Sequence, residues 1–191
     1  GDHRDLHFPL RRQRQMCIRD RLLFEAEPTE VWASSNERTD NPLFNEVEES
    51  IAATMVFPGG RIAQFIASFG ADTFDSYTVV GTAGSLTMDP AYRFESAMRL
   101  QQRNQEAMKT DQFPYTDHFA GMTAYFSECI RNGNPPEADG LEGLADLTIL
   151  LAIEKSAQTG KLQKIELPQR SVHPNAEMIY RYPRSEKKIL L

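Results

Sequence analysis

The sequence predicts an α+β domain, a largely antiparallel open sheet with helices covering one of its faces. Short β-prone runs joined by tight Gly- and Pro-bearing links fill the chain from Thr29 to about Leu100, and consecutive strands with short links pair antiparallel. Two longer segments with apolar residues at spacings of three and four follow, and one last β-prone run comes after them. Strands first and helices later, rather than strict alternation, build a layer of helices on a sheet.

Thr29-Glu30-Val31-Trp32-Ala33 is the first β-prone run, and a polar, turn-rich stretch from Ser34 to Pro42 follows it. The runs Glu49–Phe57 and Arg61–Phe69 flank Pro58-Gly59-Gly60 and read as a hairpin. Pro58 presets φ for the first central turn position, and Gly59 supplies the positive φ of the second. Ser76–Gly81 and Ser85–Met88 pair around the Thr82-Ala83-Gly84 bend, and a more polar region from Tyr92 to Leu100 extends the same sheet. In the first helix Phe119, Met122, Phe126, Cys129 and Ile130 form an apolar stripe. Thr116 is the expected N-cap, Asp117 lies against the helix dipole and Gly133 is the stop. The second opens on Asp139-Gly140-Leu141-Glu142, a capping-box pattern, carries a stripe through Leu144, Leu147, Leu150 and Leu151, and ends at Thr159-Gly160. Gln163–Leu167 is expected to return to the sheet. The strands from Ile51 to Phe69 are apolar on both alternating faces, so the face without helices is expected to meet a partner.

The 191 residues, 40% hydrophobic and 25% charged, suit one domain with a sizeable core. A net charge of −6 repels nucleic acid and anionic lipid, so neither is expected as a partner. The apolar runs fall well short of the roughly 20 residues of a membrane span, so no membrane contact is expected. Two cysteines, Cys17 and Cys129, are too few for a disulfide framework, and the four histidines lack ligand spacing, so no metal site is expected. Cys129 reads as a small buried hydrophobe within the helix.

Residues 1–21 differ from the rest. Arg11-Arg12-Gln13-Arg14 and Arg19-Asp20-Arg21 are arginine-dense and without apolar periodicity. This segment is read as foreign-looking or disordered in preference to a basic arm, since an acidic body follows it. The domain proper is expected over residues 22–167, with an extended tail over 168–191.

Several short runs, weak singly, resemble one family when taken in order. They are Glu27-Pro28-Thr29-Glu30-Val31, Asn45-Glu46-Val47-Glu48-Glu49, Phe57-Pro58-Gly59-Gly60-Arg61, Gly81-Thr82-Ala83-Gly84-Ser85-Leu86, Met88-Asp89-Pro90-Ala91, Gln112-Phe113, Asp117-His118-Phe119, Arg131-Asn132-Gly133 and Glu142-Gly143. From about Leu22 to Leu167 the chain is similar to the C-terminal domain of the Gfo/Idh/MocA oxidoreductases, on their glucose–fructose oxidoreductase branch. The resemblance implies a parent enzyme transferring hydride at a sugar carbon. An N-terminal Rossmann domain would hold NADP, and this domain would supply contacts to a sugar or polyol substrate and to a homo-oligomer through the open sheet face. It also implies a catalytic Lys in a Glu-Lys-Pro motif and an assisting Asp.

The chain departs from that pattern where the chemistry would lie. No G-x-G-x-x-G occurs, so nothing here seats a pyrophosphate on a helix N-terminus. Gly81 and Gly84 lie between strands and read as turn residues. Glu154-Lys155-Ser156 resembles Glu-Lys-Pro only in part and sits within the second helix, while Gly1-Asp2-His3 lacks the surrounding pattern. No catalytic or cofactor-binding residue is therefore assigned, and this chain alone is expected to be inactive and to bind no cofactor.

Six residues are candidates for contact with a sugar. Asp117 and His118 open a helix, where a carboxylate and an imidazole can exchange hydrogen bonds with hydroxyls; the structural alternative is a cap and a satisfied histidine. Tyr92 and Arg93 follow the strand end at Asp89-Pro90, and Lys109 and Gln112 lie in the polar stretch before the first helix. Phe65, Phe69, Phe119 and Phe126 read as core rather than as a stacking platform. The competing function is a free-standing, non-enzymatic dimerisation or small-ligand-binding module.

Overall fold

The computed structural model describes residues 17–36, 42–44, 47–92 and 96–168. The expected tail over 168–191 lies outside these residues beyond its first position, as do Gly1-Asp2-His3 and Asn45-Glu46. The chain divides into two units, one comprising Gly1–Gly70 with Pro135–Ile179 and the other Ala71–Asn134 with Tyr180–Leu191. Each carries a four-stranded sheet.

The first unit contains helix α1 (17–24), strands β1 (Glu30–Asn36), β2 (Ser50–Phe57) and β3 (Arg61–Ser68), helix α3 (Gly140–Thr159) and strand β8 (Gln163–Lys164). Its strands run antiparallel in the order β3-β2-β1-β8. The Pro58-Gly59-Gly60 turn forms as expected, with φ of 79° at Gly59 and 74° at Gly60. β1 continues to Asn36, into the stretch expected to be turn-rich. The pleat sorts the side chains cleanly. Val31, Ala33, Ile51, Ala53, Met55, Phe57, Ala63, Phe65 and Ala67 point to one face and are buried with Ile149, Ile153 and Ile165.

α3 covers that face, though not with the expected residues. Its buried side runs Glu142, Ala145, Asp146, Ile149, Ile153 and Ser156; of the leucine stripe, Leu144, Leu147 and Leu151 point outward, Leu151 54% exposed, while Leu150 packs against the core. Small and β-branched side chains let the helix lie close over β1. The outward leucines are surplus, because this helix is apolar nearly all round and apolarity alone cannot say which side faces the sheet. Ser156 also completes the sheet. β8 pairs with β1 only at Glu30 and Val31, and the Ala33 N–H beyond it donates to Ser156 Oγ at 2.9 Å. That hydroxyl in turn donates to the Lys161 carbonyl at 2.8 Å, leaving no buried group unmatched there.

The expectation that residues 1–21 stand apart from the domain is corrected for residues 17–21. They belong to α1, which crosses the boundary drawn at Leu22. Cys17, Asp20 and Arg21 are all buried. The Arg21 guanidinium uses all five of its N–H donors on three carboxylates. Nε and Nη2 bind Glu27 at 2.7 and 3.3 Å, Nη1 and Nη2 bind Glu142 at 2.9 and 3.1 Å, and Nη1 binds Asp146 at 2.7 Å. Glu142 and Asp146 are four residues apart and so share a helix face. This also corrects the capping box. Asp139 caps α3 by accepting from the Leu141 and Glu142 N–H groups at 2.9 Å, while the Glu142 carboxylate turns to Arg21 instead of back to the cap.

The second unit holds β4 (Tyr77–Gly81), β5 (Gly84–Met88), β6 (Met98–Arg103), β7 (Met108–Phe113) and α2 (His118–Asn132). The strands form an antiparallel meander in sequence order. A Cβ on Gly84 would stand 2.1 Å from the Arg103 carbonyl oxygen, so the tight bend requires glycine. Register places Tyr77, Val79, Leu86, Met88, Leu100 and Met98 on one face and Thr78, Thr87, Gln101 and Thr110 in a row on the other. Among the unit's described residues only Asp75 and Cys129 are buried. Cys129 matches its reading. The expectation that Phe119 and Phe126 form core is corrected, since Phe119 is 68% exposed and Phe126 is exposed too, while Phe65 is core as expected. Their stripe is the apolar face of α2, exposed at Phe119, Met122, Phe126 and Ile130.

The Arg21 cluster sets one expected outcome. Arg21→Met leaves three carboxylates without their cation and lowers stability by about 3–5 kcal/mol, and adding Glu142→Gln and Asp146→Asn recovers most of that loss. Urea unfolding of the three proteins checks it. Burial, and then the nearby carboxylates of Asp20 and Asp146, push the Cys17 thiol up from 9.0 to about 12. Between those values the unfolded chain loses a proton that the folded chain keeps, so stability falls as pH rises above 9. The stability difference between the native chain and Cys17→Ala should therefore shrink as pH rises past 9, by roughly 1 kcal/mol between pH 9 and 10 and much less between 8 and 9, measured by urea midpoints at pH 8, 9 and 10.

Candidate functional site

All the described candidates belong to the second unit. α2 begins at His118, and Asp117 is its N-cap, with φ of −73° and ψ of 104°. The Asp117 Oδ1 accepts from the Phe119 N–H at 3.0 Å and the Ala120 N–H at 3.1 Å. Thr116 is thereby corrected from cap to the residue before it, and its hydroxyl donates to the Pro114 carbonyl. An aspartate caps better than threonine here because a full negative charge meets the unpaired N–H groups of the first turn. The other end closes as expected. Gly133 adopts φ of 66°, and the Asn134 N–H donates to the Cys129 carbonyl at 3.0 Å.

Lys109 and Gln112 turn out to lie on a strand. β7 was not foreseen, because Lys-Thr-Asp-Gln is polar on both alternating faces and shows no period. Their separation of three residues puts the two side chains on opposite faces of the sheet, so they cannot line one pocket together. Lys109 stands with Asp111 and Gln102. Its Nζ lies 2.9 Å from Asp111 Oδ1, and Gln102 donates to Asp111 Oδ2 at 3.0 Å. Gln112 pairs across the strands with Arg99 on the other face. Tyr92 lies beyond the cis Asp89–Pro90 bond, its ring 6.2 Å from that of Tyr77. Arg93 and the side chain of His118 fall outside the described residues.

Glu154 and Lys155 lie exposed on α3 and Ser156 is wholly buried, so this run is a helix turn whose serine serves the sheet. Among the described residues no cluster of His, Cys, Asp or Glu is suited to a metal ion, and no helix is long and apolar enough to cross a membrane. The residue that sequence reasoning missed is Arg21. The signal available was the pair Glu142 and Asp146, four apart in the otherwise largely apolar first half of the helix.

A family model described as the C-terminal alpha/beta domain of an oxidoreductase family matches residues 20–167. The chain belongs to the Gfo/Idh/MocA oxidoreductase family. The Gfo/Idh/MocA match opens at Asp20, takes in Arg21 with its carboxylates, and ends at Leu167, just beyond β8. Two curated relatives are named as NADP-dependent D-xylose 1-dehydrogenases. That of Haloarcula marismortui is 25% identical over 150 residues, 76% of this chain and 40% of its own length. That of Haloferax volcanii is 24% identical over 146 residues, 75% of this chain and 44% of its own length. The chain thus spans less than half of either. Among solved structures, the aldose–aldose oxidoreductase of Caulobacter crescentus, complexed with glycerol, superposes with a TM-score of 0.75 at 25% identity, covering 86% of this chain and 52% of that one. Gfo/Idh/MocA membership and the α+β architecture of antiparallel sheets with helices agree with the reading from sequence.

Capping is separable from any charge-based role of Asp117. Asp117→Ala should cost about 1 kcal/mol through loss of the cap, and Asp117→Asn only a few tenths, because asparagine caps nearly as well. Thermal unfolding followed by circular dichroism distinguishes the two.

Proposed function

We propose that this chain is the substrate-side domain of an NADP-dependent sugar oxidoreductase, contributing pocket and oligomer contacts and inactive without its nucleotide-binding partner. The observation that carries this reading is the match to a C-terminal oxidoreductase domain over residues 20–167. The named sugar substrates and NADP dependence of the two dehydrogenases support the chemistry, and the glycerol complex of the aldose–aldose enzyme supports a polyol-sized, hydroxyl-rich ligand.

In this reading hydride passes between a sugar carbon and NADP held mainly by a preceding Rossmann domain. What this chain adds is orientation. Asp117, with one carboxylate oxygen committed to the helix, accepts hydrogen bonds from hydroxyls through the other, and His118 is the neighbouring candidate. Tyr92, Arg93, Lys109 and Gln112 are the further candidates, and the pleat allows only one of Lys109 and Gln112 in a given pocket. Such contacts hold the reacting carbon near the nicotinamide and act through proximity rather than bond-making.

The oligomer contact we assign to the open face of the first sheet. There Trp32, Ile62 and Ile66 are exposed, Ile66 at 75%, with Val56 and Ala52 of β2 opposite the two isoleucines and the hydrogen-bonded pair Thr54 and Gln64 in the row between. Two exposed isoleucines and a tryptophan gathered on one sheet face, rather than scattered singly, suit an association surface.

Two expected outcomes follow. The isolated chain, incubated with NADP and a panel of aldoses, forms no NADPH by absorbance. The whole protein, including its preceding domain, does so, and Asp117→Asn in that protein raises KM for the sugar with little change in stability. A whole protein without hydride transfer to or from any sugar would overturn the reading. In sedimentation, the chain self-associates at micromolar concentration and Ile62→Lys with Ile66→Lys returns it toward monomer; a native chain that is cleanly monomeric would remove the interface assignment.

A further inference from the structure

We draw no further inference here: the strongest candidate, the leucine row that α3 turns outward at Leu141, Leu144, Leu147 and Leu151, is an unpartnered apolar helix face, and nothing in the structure shows what covers it.

Discussion

A single buried guanidinium holds the first unit together. Arg21 stands on α1, and its partners come from the segment before β1 and from two successive turns of α3. Burying one cation is expensive, and burying carboxylates near it would be worse without full pairing. The geometry meets that demand by using every donor of the planar fork, which a lysine ammonium cannot do. The consequence is positional. Rotation of α3 about its axis would pull Glu142 and Asp146 off Arg21, so the cluster selects which face of the helix meets β1. Ile149, Ile153 and Ser156 then fall over the sheet, and Leu144, Leu147 and Leu151 fall outside.

The two units are built very differently. In the first, the sheet has one buried and one open face, and the core is continuous from Phe57 to Ile153. In the second, a well-registered meander and a well-capped helix bury almost nothing among their described residues. Backbone hydrogen bonding, turn chemistry and a few side-chain contacts define those elements, and the stripe of α2 is exposed at Phe119, Met122, Phe126 and Ile130. A domain that is one part of a larger enzyme has this character, since surface that meets other parts of the protein need not be polar. The same reasoning applies to Ile62 and Ile66 on the open face of the first sheet.

Much of the fold was legible wherever a residue type has one physical use. Pro58-Gly59 can hardly be anything but a turn, Gly133 and Gly160 end helices through positive φ, and the alternation of β2 follows from its pleat. Legibility failed where chemistry was ambiguous. The all-round apolar α3 concealed its buried face, and the polar β7 concealed its period. The arginine-dense stretch before Leu22 concealed the fact that Arg21 is buried. The site suffered most, because its candidates were chosen by chemical type before their faces were known. Had β7 been recognised as a strand, the opposition of Lys109 and Gln112 would have followed at once. The family resemblance succeeded for another reason. It rested on the order and spacing of many weak fragments, which local misreadings of one helix face or one strand do not disturb.

The most direct test of the central claim is the coding sequence upstream of Leu22, read independently from the source gene. A parent sugar oxidoreductase predicts an in-frame Rossmann unit with a G-x-G-x-x-G turn, followed by a Glu-Lys-Pro motif. A stop codon just ahead of residue 1, with residues 1–21 confirmed, would contradict it and leave a free-standing domain that binds or dimerises without hydride chemistry.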